Sequence, residues 1–117
     1  MTTVLEIGVD VSDGAATLLL TGEVDRDAGD AFDRAYASAA AAGAASITLD
    51  FAAVPYINST GIALIVGLLG RARAAGIPVT ARGLTDHYRE IFEITRLSDF
   101  MTIEAGAATD APEGSIQ

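Results

Sequence analysis

Two adjacent hydroxyls, Ser59 and Thr60, are the residues of this chain best placed to do chemistry. They lie in the run Asp50 to Leu69, DFAAVPYINSTGIALIVGLL. A strand pattern ends at the start of that run, Pro55 breaks it, and a helical pattern opens after Asn58-Ser59-Thr60-Gly61. A helix N-terminus has unpaired backbone N–H groups and a partial positive charge. A hydroxyl there can cap the helix, and a phosphate carried on it would meet the same N–H groups. Two readings follow: a plain cap on a core helix, or a phosphorylation switch that adds about −1.5 to −2 charges beside an apolar patch. Asn58-Ser59-Thr60 also fits the glycosylation sequon; with no secretory signal in MTTVLEIGVD and a helix starting there, that match is read as coincidence.

Other chemistry finds little support in the residues. The chain has no cysteine and one histidine, His87, so thiolate sites, disulfides and histidine-rich metal clusters are excluded. His87 with Asp86 and Glu90 reads as a solvated group at a helix start rather than an acid–base pair. Asp25, Asp50 and Ser59 make no catalytic set, because no histidine or lysine is placed to activate the serine. No Gly-rich phosphate loop is present, and Gly67 and Gly70 are expected to permit close helix packing. The net charge of −9, with arginine as the only basic residue type besides histidine, argues against nucleic acid and against an anionic membrane surface. The longest apolar run, Ile62 to Leu69, is too short to span a bilayer, so a cytoplasmic protein without cofactor or metal is expected.

The elements that must position the hydroxyls follow from periodicity. Leu5 to Val11 alternates with period two, Ser12-Asp13-Gly14 turns, and Ala16 to Thr21 completes an antiparallel hairpin. Asp25 or Asp27 is expected to cap a helix running to about Ala42, with Ala28, Phe32, Ala35, Tyr36 and Ala39 as its apolar stripe and Asp27, Asp30 and Asp33 outside. Ser46 to Phe51 is a strand and Ser59 to about Ala75 a helix that closes on Arg71, Arg73, Gly76 and Pro78. Val79 to Arg82 is a strand, and Asp86 to Thr95 a helix with Tyr88, Ile91 and Phe92 inward as core. Phe100 to Glu104 is a final short strand, and residues 105–117 read as a flexible acidic tail. The order β-β-α-β-α-β-α-β implies an α/β fold: a mixed sheet of about five strands with an N-terminal hairpin and helices packed on it. The helix after Ser59 has almost no polar face in its first turns, so one side packs on the sheet and the other is covered by a neighbour or left for a partner.

The run D-F-x-x-V-x-x-I-N-S-T-G-I resembles the signature of the STAS domain of bacterial anti-anti-sigma factors: an Asp-Leu or Asp-Phe strand end, a Val three residues on, then Asp-Ser-Ser-Gly or Asp-Ser-Thr-Gly and an apolar helix. Gly22-Glu23-Val24-Asp25 resembles the family's Gly-Glu-Leu-Asp, and the resemblance covers about residues 3–104. It implies phosphorylation on Ser59, with Thr60 as second choice, by an anti-sigma factor of histidine-kinase-type ATPase fold that is also the binding target. The unphosphorylated form would bind that kinase and free a sigma factor, and a serine phosphatase would reset the switch. The implied contact surface is Asp25, Asn58, Ser59, Thr60, Gly61 and Ile62, with Gly61 keeping the approach to Ser59 clear; Asp25 reads equally as a helix cap. Asn58 departs from the family pattern, which often has Asp: it keeps an acceptor oxygen and loses the charge. Some family members are never phosphorylated, so the alternative is a subunit of a signalling scaffold or of a lipid-transport ATPase.

Overall fold

The computed structural model of the chain describes residues 5–104. The alternating N-terminal residues form β1 (Glu6–Ser12) and β2 (Ala15–Thr21), paired antiparallel through the two-residue turn Asp13-Gly14. There follow α1 (Gly29–Ala41), β3 (Ser46–Ala53), α2 (Ser59–Ala74), β4 (Val79–Arg82), α3 (Asp86–Ile94) and β5 (Thr102–Ile103). The sheet order is β1-β2-β3-β4-β5, and every pair after the hairpin is parallel. This is the mixed five-stranded sheet that the element order implies. The expected flexible tail, 105–117, lies outside the described residues.

Because sheet order equals chain order, the three β-α-β crossovers all step the same way. Right-handed crossovers then bring all three helices to one face of the sheet. The core lies between them: Leu18 and Leu20 of β2, Ile47, Leu49 and Phe51 of β3, and Val79 and Ala81 of β4 are buried against Phe32, Ile65, Leu68 and Phe92 from the helices. The remaining strand residues point to the other face, which no element of the described residues covers. There Thr17, Thr48, Thr80 and Thr102 lie side by side across four strands, and Leu19 is 47% exposed. Parallel sheets are usually covered on both faces and apolar throughout. The polar alternation within these strands is what permits a one-sided arrangement.

Three boundaries differ from the sequence expectation. A 3-10 turn, Arg26–Ala28, precedes α1, so Asp25 caps that turn and α1 itself starts at Gly29 without a side-chain cap. A second 3-10 turn, Leu97–Asp99, takes up the stretch before β5 and leaves Phe100 outside the strand and 52% exposed. Propensity favours strand for an aromatic residue there, but Leu97 and Met101 are the buried residues of that segment. β3 runs two residues past Phe51, to Ala53.

The α3 anchor is the contact most open to test. Phe92 is fully buried and meets Phe51 edge to face, with ring centroids 5.8 Å apart at 87°. Phe92→Ala is expected to lower unfolding free energy by about 3–5 kcal/mol, read in urea denaturation as a lower midpoint at unchanged slope.

Candidate functional site

The site begins where β3 leaves the sheet. The pairing of β2 with β3 slips between Leu19 and Thr21, so β3 carries an extra residue there. The Ala52 N–H is drawn out of the ladder and donates to Asp50 Oδ1 at 2.9 Å. Asp50 Oδ2 also accepts from Arg82 Nε at 3.2 Å, tying the irregularity to β4. Asp50 is thus a structural anchor for the strand end.

Beyond Ala53 the chain pairs again, this time with the loop after β2. Gly22 N donates to Ala53 O at 3.2 Å, Val24 N to Tyr56 O at 2.9 Å, and Asn58 N to Val24 O at 3.1 Å. Val24 and Ile57 form an isolated parallel bridge. Gly22, with φ of 115°, gives the loop the turn that this pairing needs. The two sequence motifs are therefore one structural unit: Gly22–Asp25 is zipped to the approach of α2, and Asp25 lies beside Asn58 in the pairing.

Asn58 is the N-cap of α2. Its backbone is extended and its Oδ1 accepts from Gly61 N at 2.8 Å. Capping by Ser59 or Thr60 is therefore corrected: the helix starts one residue earlier than a hydroxyl cap requires, and Asn is as good a cap as Ser. Ser59 and Thr60 are the first two helical residues and both are exposed. Among the described residues, no hydrogen bond engages either hydroxyl, and the Ser59 and Thr60 N–H groups have no acceptor. Gly61 is buried against the loop, and a Cβ there would overlap the Val24 carbonyl. Its role in this geometry is to let the first turn of α2 dock on the backbone of Val24. Ile62 is half-buried beside it. Asp25 Oδ1 accepts from Asp27 N at 2.9 Å, so the cap reading of Asp25 is realised while its backbone sits next to the junction.

One residue at the junction was not found from the sequence in this role. The Tyr88 phenol oxygen of α3 accepts from Ile57 N at 3.0 Å. Helical spacing marks Tyr88 as core, and it is half-buried, but spacing says nothing about where its hydroxyl goes. His87 is exposed, with its ring edge-on to Tyr88.

The outer face of α2 adjoins the junction. Ala63, Val66, Gly67 and Gly70 are exposed. A Cβ at Gly67 or Gly70 would meet nothing within 4 Å, so the expected close packing at these glycines is not what the fold uses them for. From Ser59 to Ala75 the chain has no acidic residue. A small apolar groove of about 120 Å³ lies between Val66, Leu69, Gly70 and Arg73 on one side and Phe100 on the other. Among the described residues, no cluster of three or more His, Asp or Glu could hold a metal, and no helix is long and apolar enough to cross a membrane. What the junction offers chemically is an exposed hydroxyl at a helix N-terminus, with no base among the described residues placed to activate it for catalysis.

The division of labour at the junction predicts a stability pattern. Asn58→Ala should cost about 0.5–2 kcal/mol through the lost cap, whereas Ser59→Ala should stay within about 0.5 kcal/mol. Gly61→Ala should exceed both, because the helix must move off Val24. Urea denaturation of the three variants checks the order.

In comparisons with known proteins, the family model described as "Mlab, STAS domain" matches residues 7–103. No curated protein gives a significant sequence match. Among solved structures, an anti-sigma factor antagonist from Mycobacterium paratuberculosis is similar at 20% identity, with 92% of each chain covered and a TM-score of 0.69. SpoIIAA of Bacillus in its phosphorylated form is similar at 22% identity, covering 85% of this chain and 91% of that one, with a TM-score of 0.62. RsbS of Moorella thermoacetica, in a serine-to-glutamate variant, is similar at 10% identity, with 86% of each chain covered and a TM-score of 0.72. The sheet order, the parallel crossovers and the motif-bearing junction agree with that match, and the chain belongs to the STAS-domain family, with the fold of the anti-sigma factor antagonists.

Proposed function

We propose that the chain is an anti-sigma factor antagonist, a non-enzymatic binding protein switched by phosphorylation of Ser59. The observation that carries the reading is the assignment of the cap to Asn58, which leaves the Ser59 hydroxyl exposed and uncommitted at the start of a helix. A phosphate there would find the unpartnered Ser59 and Thr60 N–H groups and the positive end of α2. The helix would persist. The change would be felt by a partner seated on Asp25, Ser59, Thr60 and Ile62, which would meet charge and bulk at an apolar contact. That partner is an anti-sigma factor with a histidine-kinase-type ATPase fold, which is also the kinase, and a serine phosphatase restores the binding form. The cytoplasm is where such an exchange of partners would run. Solved relatives bearing a phosphate or a serine-to-glutamate substitution support a switch of this kind in the same fold.

A second reading has its own observation. Asn58 caps without charge where many phosphorylated members have Asp, and the outer face of α2 exposes Ala63, Val66, Gly67 and Gly70. Both suit a permanent contact, as in a STAS subunit of a signalling scaffold or of a lipid-transport ATPase. Co-purification from the host followed by light scattering separates the readings: a stable stoichiometric complex insensitive to ATP speaks for the subunit.

Incubation with the co-expressed ATPase-fold kinase and ATP is expected to place one phosphate on Ser59, located by fragment mass spectrometry; phosphate found only elsewhere sinks the proposal. Ser59→Ala should block modification and keep binding. Ser59→Glu should weaken binding by about tenfold or more, because a charge is forced into an apolar contact. Wild-type affinity in that variant would contradict the electrostatic mechanism.

A further inference from the structure

The approach to Ser59 is held from two sides, and only one of them is the loop that carries the family-like motif. In an extended segment successive N–H groups alternate in direction. Tyr56 O and Asn58 N both face Val24. The N–H of Ile57, between them, must face the other way, and Ile57 is only 5% exposed. A buried N–H requires a partner. By then β3 has left the sheet, and the partner is the Tyr88 phenol at 3.0 Å, from the first turn of α3.

That phenol is itself well placed by its helix. Thr85 caps α3 by accepting from Tyr88 N at 3.2 Å, so the backbone of Tyr88 is fixed in the same turn. One helical turn on, Phe92 is buried against Phe51 of β3. The outer residues of α3, including His87, Glu90 and Ile94, are exposed, with Ile94 at 71%.

We infer that Tyr88 is a positioning residue for the Ser59 junction: its hydroxyl fixes Ile57, hence the Asn58 cap, and links the disposition of α3 to the presentation of Ser59. It touches no phosphate and no partner in this role and acts through Ile57. The inference deepens the switch reading and rests on it for its functional meaning, but its structural core can be tested alone. A partner that grips the exposed face of α3 and shifts its first turn would move the acceptor of Ile57. A substrate serine whose preceding residues are loosened is bound less well by a kinase, while the phosphoryl-transfer step on the bound chain is little altered.

The experiment is amide hydrogen exchange on the unmodified chain, followed by NMR, comparing wild type with Tyr88→Phe. The phenylalanine keeps the ring and removes only the acceptor. Exchange at Ile57 should rise about fivefold more than at the sheet amide of Leu49, which reads any loss of global stability. Thr85→Ala, which frays the first turn of α3 and leaves the phenol in place, should also accelerate Ile57. Equal acceleration at Leu49 and Ile57, or none at Ile57 in either variant, would overturn the inference. With the kinase, Tyr88→Phe should raise KM for Ser59 phosphorylation severalfold with kcat nearly unchanged; an unchanged KM would overturn the functional half. Failure of wild-type Ser59 to accept phosphate would instead refute the switch reading and leave the exchange result standing.

Discussion

The loop side of the junction depends on a single carbonyl. Val24 O accepts from Asn58 N and lies under Gly61, where no Cβ intervenes. That contact joins the loop after β2 to the start of α2. The docking of α2 on the loop and the position of Asp25 follow from it, while the Tyr88 phenol holds Ile57 from the other side. A residue larger than glycine at position 61 would push the helix away and disturb the docking and Asp25 together. Backbone contacts of this kind are insensitive to side-chain chemistry. The surface residues around them are correspondingly free to vary while the hydroxyl stays presented.

The one-sided sheet is the second constraint. With all three helices on one face, their N-termini gather at the carboxyl ends of the parallel strands, where open α/β sheets build binding sites. α2 is central among them and the least polar, packing Ile65, Leu68 and Leu69 inward. Arg71, near its C-terminus, lies across α1, pairing with Asp33 at 2.9 Å and stacking over Tyr36 at 5.1 Å. Surface pairs of that kind contribute little stability, so the burial of apolar residues holds α2 in place.

Much of this was legible in the chain. Period-two alternation marked the strands, and the hydrophobic pattern marked the helices. The spacing between Asp50 and Gly61 marked the junction. The cap assignment slipped by one residue because Asn, Ser and Thr are all good caps and stand consecutively at 58–60; only geometry separates them. The Val24–Ile57 bridge was not legible, since it joins segments remote in sequence through backbone atoms that have no residue signature. Helical spacing places the Tyr88 ring in the core and carries no information on where its hydroxyl bonds. Phe100 was assigned to a strand by propensity, where burial of Leu97 and Met101 favoured a turn. Gly67 and Gly70 of α2 suggest packing by type, yet both face outward.

The exposure of Ser59 limits how any charge placed on it can act. At physiological ionic strength a surface charge is screened over a Debye length of about 8 Å. A modified Ser59 would therefore add little to the field already projected by a chain of net charge −9. Its influence is confined to molecules that touch it, where water is excluded and screening fails. Under the proposed switch, discrimination at this surface would be a matter of dissociation rather than encounter. Partners would arrive at similar rates whatever the state of the serine and differ in how long they stay.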